Sequence, residues 1–181
     1  PTDPHGGDIC LWDGKLYTGH GFKGAEYGHM IMVPDGPRCN CGQRGCLEAL
    51  SSKQGMSDYI RQQVSRGRDS MMAEGVKDGV FKSKLLKKSL EAKDPVAMEA
   101  VSRACYYLAI ASGNLVNTFS PEIVIYGGGV IEACGDYFLE NILSSVDRFC
   151  MPSIRKSVEF KTAALGDDSI LYGDLALIKG L

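Results

Sequence analysis

Three of the chain's seven cysteines, Cys39, Cys41 and Cys46, lie within eight positions in the spacing C-x-C-x4-C, and His29 stands ten residues before the first. Gly42 and Gly45 let the backbone fold sharply between them. Three thiolates held this close repel one another unless a cation neutralises them, and soft sulfur selects zinc among the common divalent metals. A structural zinc takes four ligands in a tetrahedron, and three cysteines with one histidine is a complete set. His29, Cys39, Cys41 and Cys46 are therefore the expected ligands of a zinc-binding loop spanning residues 29–48. The plainer alternative is a glycine-rich turn carrying three reduced thiols. A metal held by four protein ligands keeps no open position for water or substrate, so this ion would be structural.

Two carboxylates flank the loop. Glu26 precedes His29 by three residues and Glu48 follows Cys46 by two. Ionised carboxylates only accept hydrogen bonds, which suits a ligand dense in hydroxyls. Glu48 has a second reading, as a solvent-facing residue in the first turn of a helix whose dipole favours it. Further along, Gly127, Gly128 and Gly129 follow a strand-like "EIVIY" and precede a helical pattern. Glycines there let a ligand approach bare backbone, and a helix N-terminus favours anions. A plain strand-to-helix turn would use the same residues.

These groups need elements to hold them. "DICLW" and "KLYTG" read as two strands joined by Asp13-Gly14, the dipeptide a type I′ turn prefers. "GHMIMV" reads as a third strand ended by Pro34. "CLEALSS" and "MSDYIRQQVSRG" read as short helices, "RGRDSMMAEGVKDGV" as loop, and "FKSKLLKKSLEAK" as a helix. Asp94-Pro95 opens a long helix, with proline at the first helical position, and Val101, Cys105, Leu108, Ser112, Leu115, Val116 and Phe119 share one stripe. "EIVIYGGG" reads as a buried strand, followed by a helix over "VIEACGDYFLENILSSVDRF", a strand over "SVEFKTAAL", and a last helix over "DDSILYGDLALIKG". Three adjacent strands, a helical insert, then alternating helix and strand give an α/β fold, a mixed sheet with helices on both faces. It is also the chain order of a ribonuclease H-like (actin-like ATPase) lobe.

Composition narrows the classes. At 181 residues and 44% hydrophobic the chain can build a real core, and a net charge of −2 argues against a nucleic-acid surface. Lys82, Lys84, Lys87 and Lys88 fit the wet face of a helix better than a phosphate track. Cys10, Cys105, Cys134 and Cys150 are scattered singly in apolar segments, as small buried hydrophobes in a reducing compartment are. No apolar stretch approaches the ~20 residues of a membrane span and no signal peptide opens the sequence, so a cytoplasmic protein with no membrane contact is expected.

The stretch "GKLYTGHGFKGAEYGHMIMVPDGPRCNCGQRGCLEAL" resembles the signature region of the ROK family of repressors, open reading frames and sugar kinases. It matches at Gly21, Gly24, Glu26, Gly28, His29, Cys39, Cys41, Gly42, Gly45, Cys46 and Glu48, and "PEIVIYGGGV" and "ALGDDSILYGDLAL" are similar to two more family segments. The resemblance implies structural zinc on His29, Cys39, Cys41 and Cys46. It also implies a sugar site at Glu26, His29 and Glu48, with one imidazole nitrogen on zinc and the other toward a sugar hydroxyl. The adenosine part of ATP would lie along Gly127–Gly129, with Mg²⁺ accompanying it. It implies a homodimer as well.

The sequence departs from the family at its start. The D-x-G-x-T phosphate loop and the aspartate general base of the first lobe have no counterpart. "PTDPHGGDIC" replaces a glycine-rich segment, keeping Gly6 and Gly7 but adding Asp3, Pro4 and Asp8. A carboxylate beside phosphates is electrostatically unfavourable. Residues 1–181 are thus expected to be a C-terminal lobe without its N-terminal partner, holding no catalytic residue and inactive alone. The parent expected is an ATP-dependent kinase of a hexose or N-acetylhexosamine, glucokinase-like. The alternative is the sugar-sensing effector domain of a ROK transcriptional repressor.

Overall fold

The computed structural model describes Asp8, Cys10 and residues 11–166. The expected last helix, over "DDSILYGDLALIKG", lies outside the described residues, as do Asp3, Pro4, Gly6 and Gly7.

Asp13 and Gly14 both take positive φ, 50° and 71°, as a type I′ turn requires. They join β1 (Leu11–Trp12) to β2 (Lys15–Leu16) in a small antiparallel hairpin. The expected third strand does not form. Tyr27–His29 is a 3-10 turn instead, and the residues after it give their backbone groups to the cysteine loop. Met32 and Val33 both donate to the Gly45 carbonyl, and Leu47 donates to Met30. With those groups engaged, a hairpin partner has little left to bond, and one isolated bridge, Ile31 to Cys46, remains.

α1 (Leu47–Ser51) and α2 (Lys53–Ser65) break at Ser52, whose hydroxyl caps α2 by accepting from the Gly55 N–H. The segment expected to be loop contains one short turn of helix, α3 (Ala73–Val76), and α4 (Ser83–Glu91) follows with its lysines exposed. α5 (Pro95–Phe119) is the spine of the lobe and packs against α1, α2, α4 and α6. It starts where Asp94-Pro95 predicts. The Asp94 carboxylate accepts from Val96 and Ala97 within the helix, and from the Met71 N–H and Ser70 hydroxyl outside it. Burial pushes the Asp94 carboxyl up, but these bonds outweigh it and hold it below the usual aspartate range. Of the predicted stripe, Val101, Cys105, Ser112 and Val116 are buried, whereas Phe119 at the helix end is exposed.

β3 (Ile123–Tyr126), α6 (Gly129–Val146) and β4 (Glu159–Thr162) form a parallel β-α-β unit, with a short α7 (Pro152–Arg155) before β4. The two strands run in register from Ile123 opposite Glu159 to Tyr126 opposite Thr162. Tyr126 and Phe160 are buried toward the helices, and their rings stack 6.4 Å apart. Ile123 and Ile125 point the other way and are exposed, so β3 alternates instead of being buried on both faces as the sequence suggested. The expected single mixed sheet is corrected likewise: among the described residues the strands form two separate pairs, one antiparallel and one parallel. The α/β character stands. The core runs from Met56 and Ile60 through α5 to Phe138, Ile142 and Phe160, with Cys105, Cys134 and Cys150 buried within it as expected of single cysteines, whereas Cys10, expected to be buried too, is only partly so beside the short hairpin.

Candidate functional site

The cysteine loop folds as a small knot. Gly45 (φ 76°) is its crossing point, where an added Cβ would lie 1.6 Å from the Val33 carbonyl oxygen, so only glycine fits. The ligand atoms of His29, Cys39, Cys41 and Cys46 all lie within 4.8 Å of one another. Cys41 Sγ is 3.7 Å from Cys46 Sγ, and Cys39 Sγ is 3.7 Å from His29 Nδ1. A tetrahedral ion with arms of about 2.0–2.3 Å has edges of about 3.3–3.8 Å. The spacing and the donor set both suit a metal ion, and this cluster can hold one.

The thiols differ in character. Burial pushes Cys46 up to about 12 and raises Cys39, while the Gln43 N–H directed at exposed Cys41 lowers that thiol. Burial of uncompensated sulfur is costly for the thiolate, which a bound cation would relieve.

His29 faces two ways. Its Nδ1 turns to Cys39 and lies 3.4 Å from Glu48 Oε2, while Nε2 lies 3.9 Å from Glu26 Oε2. Cys46 leads directly into α1, which carries Glu48 in its first turn. Glu48 is about a quarter exposed and also lies 3.7 Å from Cys39 Sγ, so it is not a solvent-facing decoration.

A cleft of about 730 Å³ joins these groups to the glycine turn: Glu26, His29 and Glu48 line it together with Gly127, Gly128 and Gly129. Gly128 has φ 95°, and a Cβ at Gly128 or Gly129 would meet nothing within 4 Å, so the turn presents open backbone. No side chain caps α6, leaving its first N–H groups available to a ligand. Cys134 (φ −139°) interrupts α6, so the turn next to the cleft is short.

The cleft contains residues that the sequence did not single out for it. Ser51, Ser52, Lys53 and Gln54 come from the α1–α2 break, and Tyr126 from the end of β3, its hydroxyl bonded to Ser112 at 2.6 Å. Asp8 is there too, accepting from the Gly28 N–H at 2.6 Å. Burial raises its carboxyl, with Glu26 adding to the effect. Its placement at the turn that aims Glu26 and His29 had no signal in spacing, since it joins residues 20 apart.

The sequence model of the ROK family matches residues 6–180. The chain belongs to the ROK family. Among ROK proteins, a glucokinase of Halalkalibacterium halodurans is 34% identical over 176 residues, covering 96% of this chain and 53% of the relative. A putative xylose repressor of Caldicellulosiruptor sp. is 29% identical over 166 residues, covering 91% of this chain and 41% of the repressor. The crystal structure of a ROK family glucokinase from Streptomyces griseus, in complex with glucose and AMPPNP, superposes with a TM-score of 0.76 at 28% identity, over 91% of this chain and 54% of that one. The chain spans about half the length of the glucokinases it matches.

Proposed function

We propose that this chain is the sugar- and metal-binding C-terminal lobe of an ATP-dependent ROK sugar kinase acting on a hexose or N-acetylhexosamine. One observation carries the reading: a single cleft joins a carboxylate-imidazole wall at Glu26, His29 and Glu48 to the open glycine turn at Gly127–Gly129. The similarity to the glucokinase holding glucose and AMPPNP supports it. In this reading His29, Cys39, Cys41 and Cys46 bind zinc, which fixes the loop and the direction of the imidazole. Glu26, His29 and Glu48 orient the sugar hydroxyls. ATP with its Mg²⁺ lies along the glycine turn, where backbone N–H groups face the cleft. The general base and the phosphate loop belong to the other lobe, because phosphoryl transfer needs base, metal and phosphate cradle to converge. The lobe self-associates as a homodimer, which light scattering would check.

The test is activity with and without the rest of the protein. Residues 1–181 with ATP, Mg²⁺ and a panel of hexoses should give no turnover, and the full-length protein should phosphorylate at least one. Turnover by the lobe alone would reveal an unrecognised base.

One observation favours a second reading, the sugar-sensing domain of a repressor. Asp8 puts a carboxylate in the cleft, where phosphates would be repelled. The match to a xylose repressor is consistent with it. Saturable sugar binding by the full-length protein without any ATP consumption would select this reading.

A further inference from the structure

A second cavity, of about 630 Å³, lies against the cysteine loop and shares no residue with the cleft. Ile31, Pro34, Asp35, Arg38, Gln43 and Arg44 line it. Arg38 and Arg44 stand opposite each other in an isolated antiparallel bridge. Cys39 N–H donates to the Gln43 carbonyl on one side of that bridge, and Gly45 N–H to the Pro37 carbonyl on the other. The two arginines are therefore a non-hydrogen-bonded pair, the arrangement that brings facing side chains closest, with Cβ atoms about 5 Å apart.

Like charges directly opposite in such a pair are destabilising. No ion pair among the described residues involves either one, and both are exposed. Arg44 gives one donor to the Gly36 carbonyl at 3.3 Å, which leaves most of its fork free. The backbone bonds on both sides of the bridge keep the two side chains rooted next to each other. An anion between the two forks would relieve this repulsion.

We propose that this cavity binds a phosphomonoester, its phosphate gripped between the Arg38 and Arg44 guanidiniums. Planar guanidinium forks match phosphate oxygens two at a time, and two forks can neutralise a dianion. The Gln43 amide supplies a further donor. Ile31, nearly half exposed, and Pro34 form an apolar wall for the carbon part of the ligand. The single carboxylate of Asp35 leaves the two arginines in excess. The site lies outside the sugar cleft and goes beyond the kinase reading.

The experiment titrates the metal-loaded full-length protein with phenyl phosphate, inorganic phosphate and phenol, followed by calorimetry. Phenyl phosphate should bind saturably, inorganic phosphate more weakly, and phenol not at all. Arg38→Ala should weaken phenyl phosphate at least tenfold with metal content unchanged, and Arg38→Lys should fall between. Among the described residues the Arg38 side chain makes no hydrogen bond or ion pair, so its variant stays interpretable even if Arg44→Ala loosens the loop. No saturable binding at millimolar concentration would overturn the proposal. So would binding that survives Arg38→Ala, which would place the anion in the cleft. Equal affinity for phosphate and phenyl phosphate would overturn the phosphomonoester assignment.

Discussion

Gly42 and Gly45 offer a paired test of the metal loop, because both have positive φ (94° and 76°) and only one is sterically confined. An alanine at either position is forced into a left-handed conformation, at about 1–2 kcal/mol. At Gly42 that is the whole cost, since a Cβ meets nothing within 4 Å. At Gly45 the Cβ would lie 1.6 Å from the Val33 oxygen and 2.7 Å from its carbon, and both atoms are backbone. No rotamer change relieves that contact; the Val33 segment must retreat by about 1.4 Å to reach the shortest tolerable separation. The retreat disturbs the bonds from Met32 and Val33 to the Gly45 carbonyl and from Gly36 to the Val33 carbonyl. At about 0.5–1.5 kcal/mol each, these three bonds raise the cost at Gly45 by about 1.5–4.5 kcal/mol over Gly42, and about 2 kcal/mol is a cautious figure in that range. If the loop holds the metal, Gly45→Ala should weaken retention against a competing chelator by about thirtyfold relative to Gly42→Ala, the ratio 2 kcal/mol corresponds to. Equal retention by the two variants would refute the reasoning, since the knot's closure at Gly45 would then not position the ligands.

Cys41→Ala should lose the metal by elemental analysis while Cys105→Ala, buried in the helical core, keeps it. Glu26→Gln and Glu48→Gln in the full-length protein should each weaken sugar binding by about 1–3 kcal/mol with metal content unchanged; unaltered affinity would remove them from the site. Asp94→Ala removes the α5 cap and its bonds to residues 70 and 71, and should destabilise by about 2–4 kcal/mol in denaturant unfolding. Because the folded Asp94 carboxyl is depressed, its contribution is fully present above the ordinary value of 3.8 and is lost as pH falls through the lower folded value. The wild type should therefore lose more stability than Asp94→Asn on acidification through that window.

What the sequence made legible was local. The Cys/His cluster is written in ligand types a few residues apart, the Asp13-Gly14 turn in one dipeptide, and the start of α5 in Asp94-Pro95. The third strand failed because hydrophobicity in "HMIMV" says that the segment is held, not by what. Its backbone partners are Gly45 and Leu47, chosen by closure of the loop. The buried β3 failed similarly, since a run of "IVIY" does not reveal that one face stays open. Within the cleft, Glu26, His29 and Glu48 could be linked through the loop, but their meeting with Gly127–Gly129 is a matter of tertiary packing. In the sequence Asp8 reads only as a charge beside phosphates. Its bond to Gly28 gives it a place at the turn carrying Glu26 and His29, which no spacing rule contains.

The helical core includes Met56, Ile60, Val101, Cys105 and Phe160, and none of Cys39, Cys41 or Cys46. Apolar burial and the Cys/His cluster thus lie in different parts of the chain, joined through α1, and a metal on the cluster would stabilise its own part. Such a division makes separate cooperative units, in which one can open while the other stays closed. If the cluster holds an ion, stripping it should therefore yield a species whose far-ultraviolet dichroism is close to native while amides near Gly45 exchange freely. If His29 and Glu48 hold sugar as proposed, that species would pass an ordinary test of folding and still be blind to sugar, because both residues belong to the unit that opened.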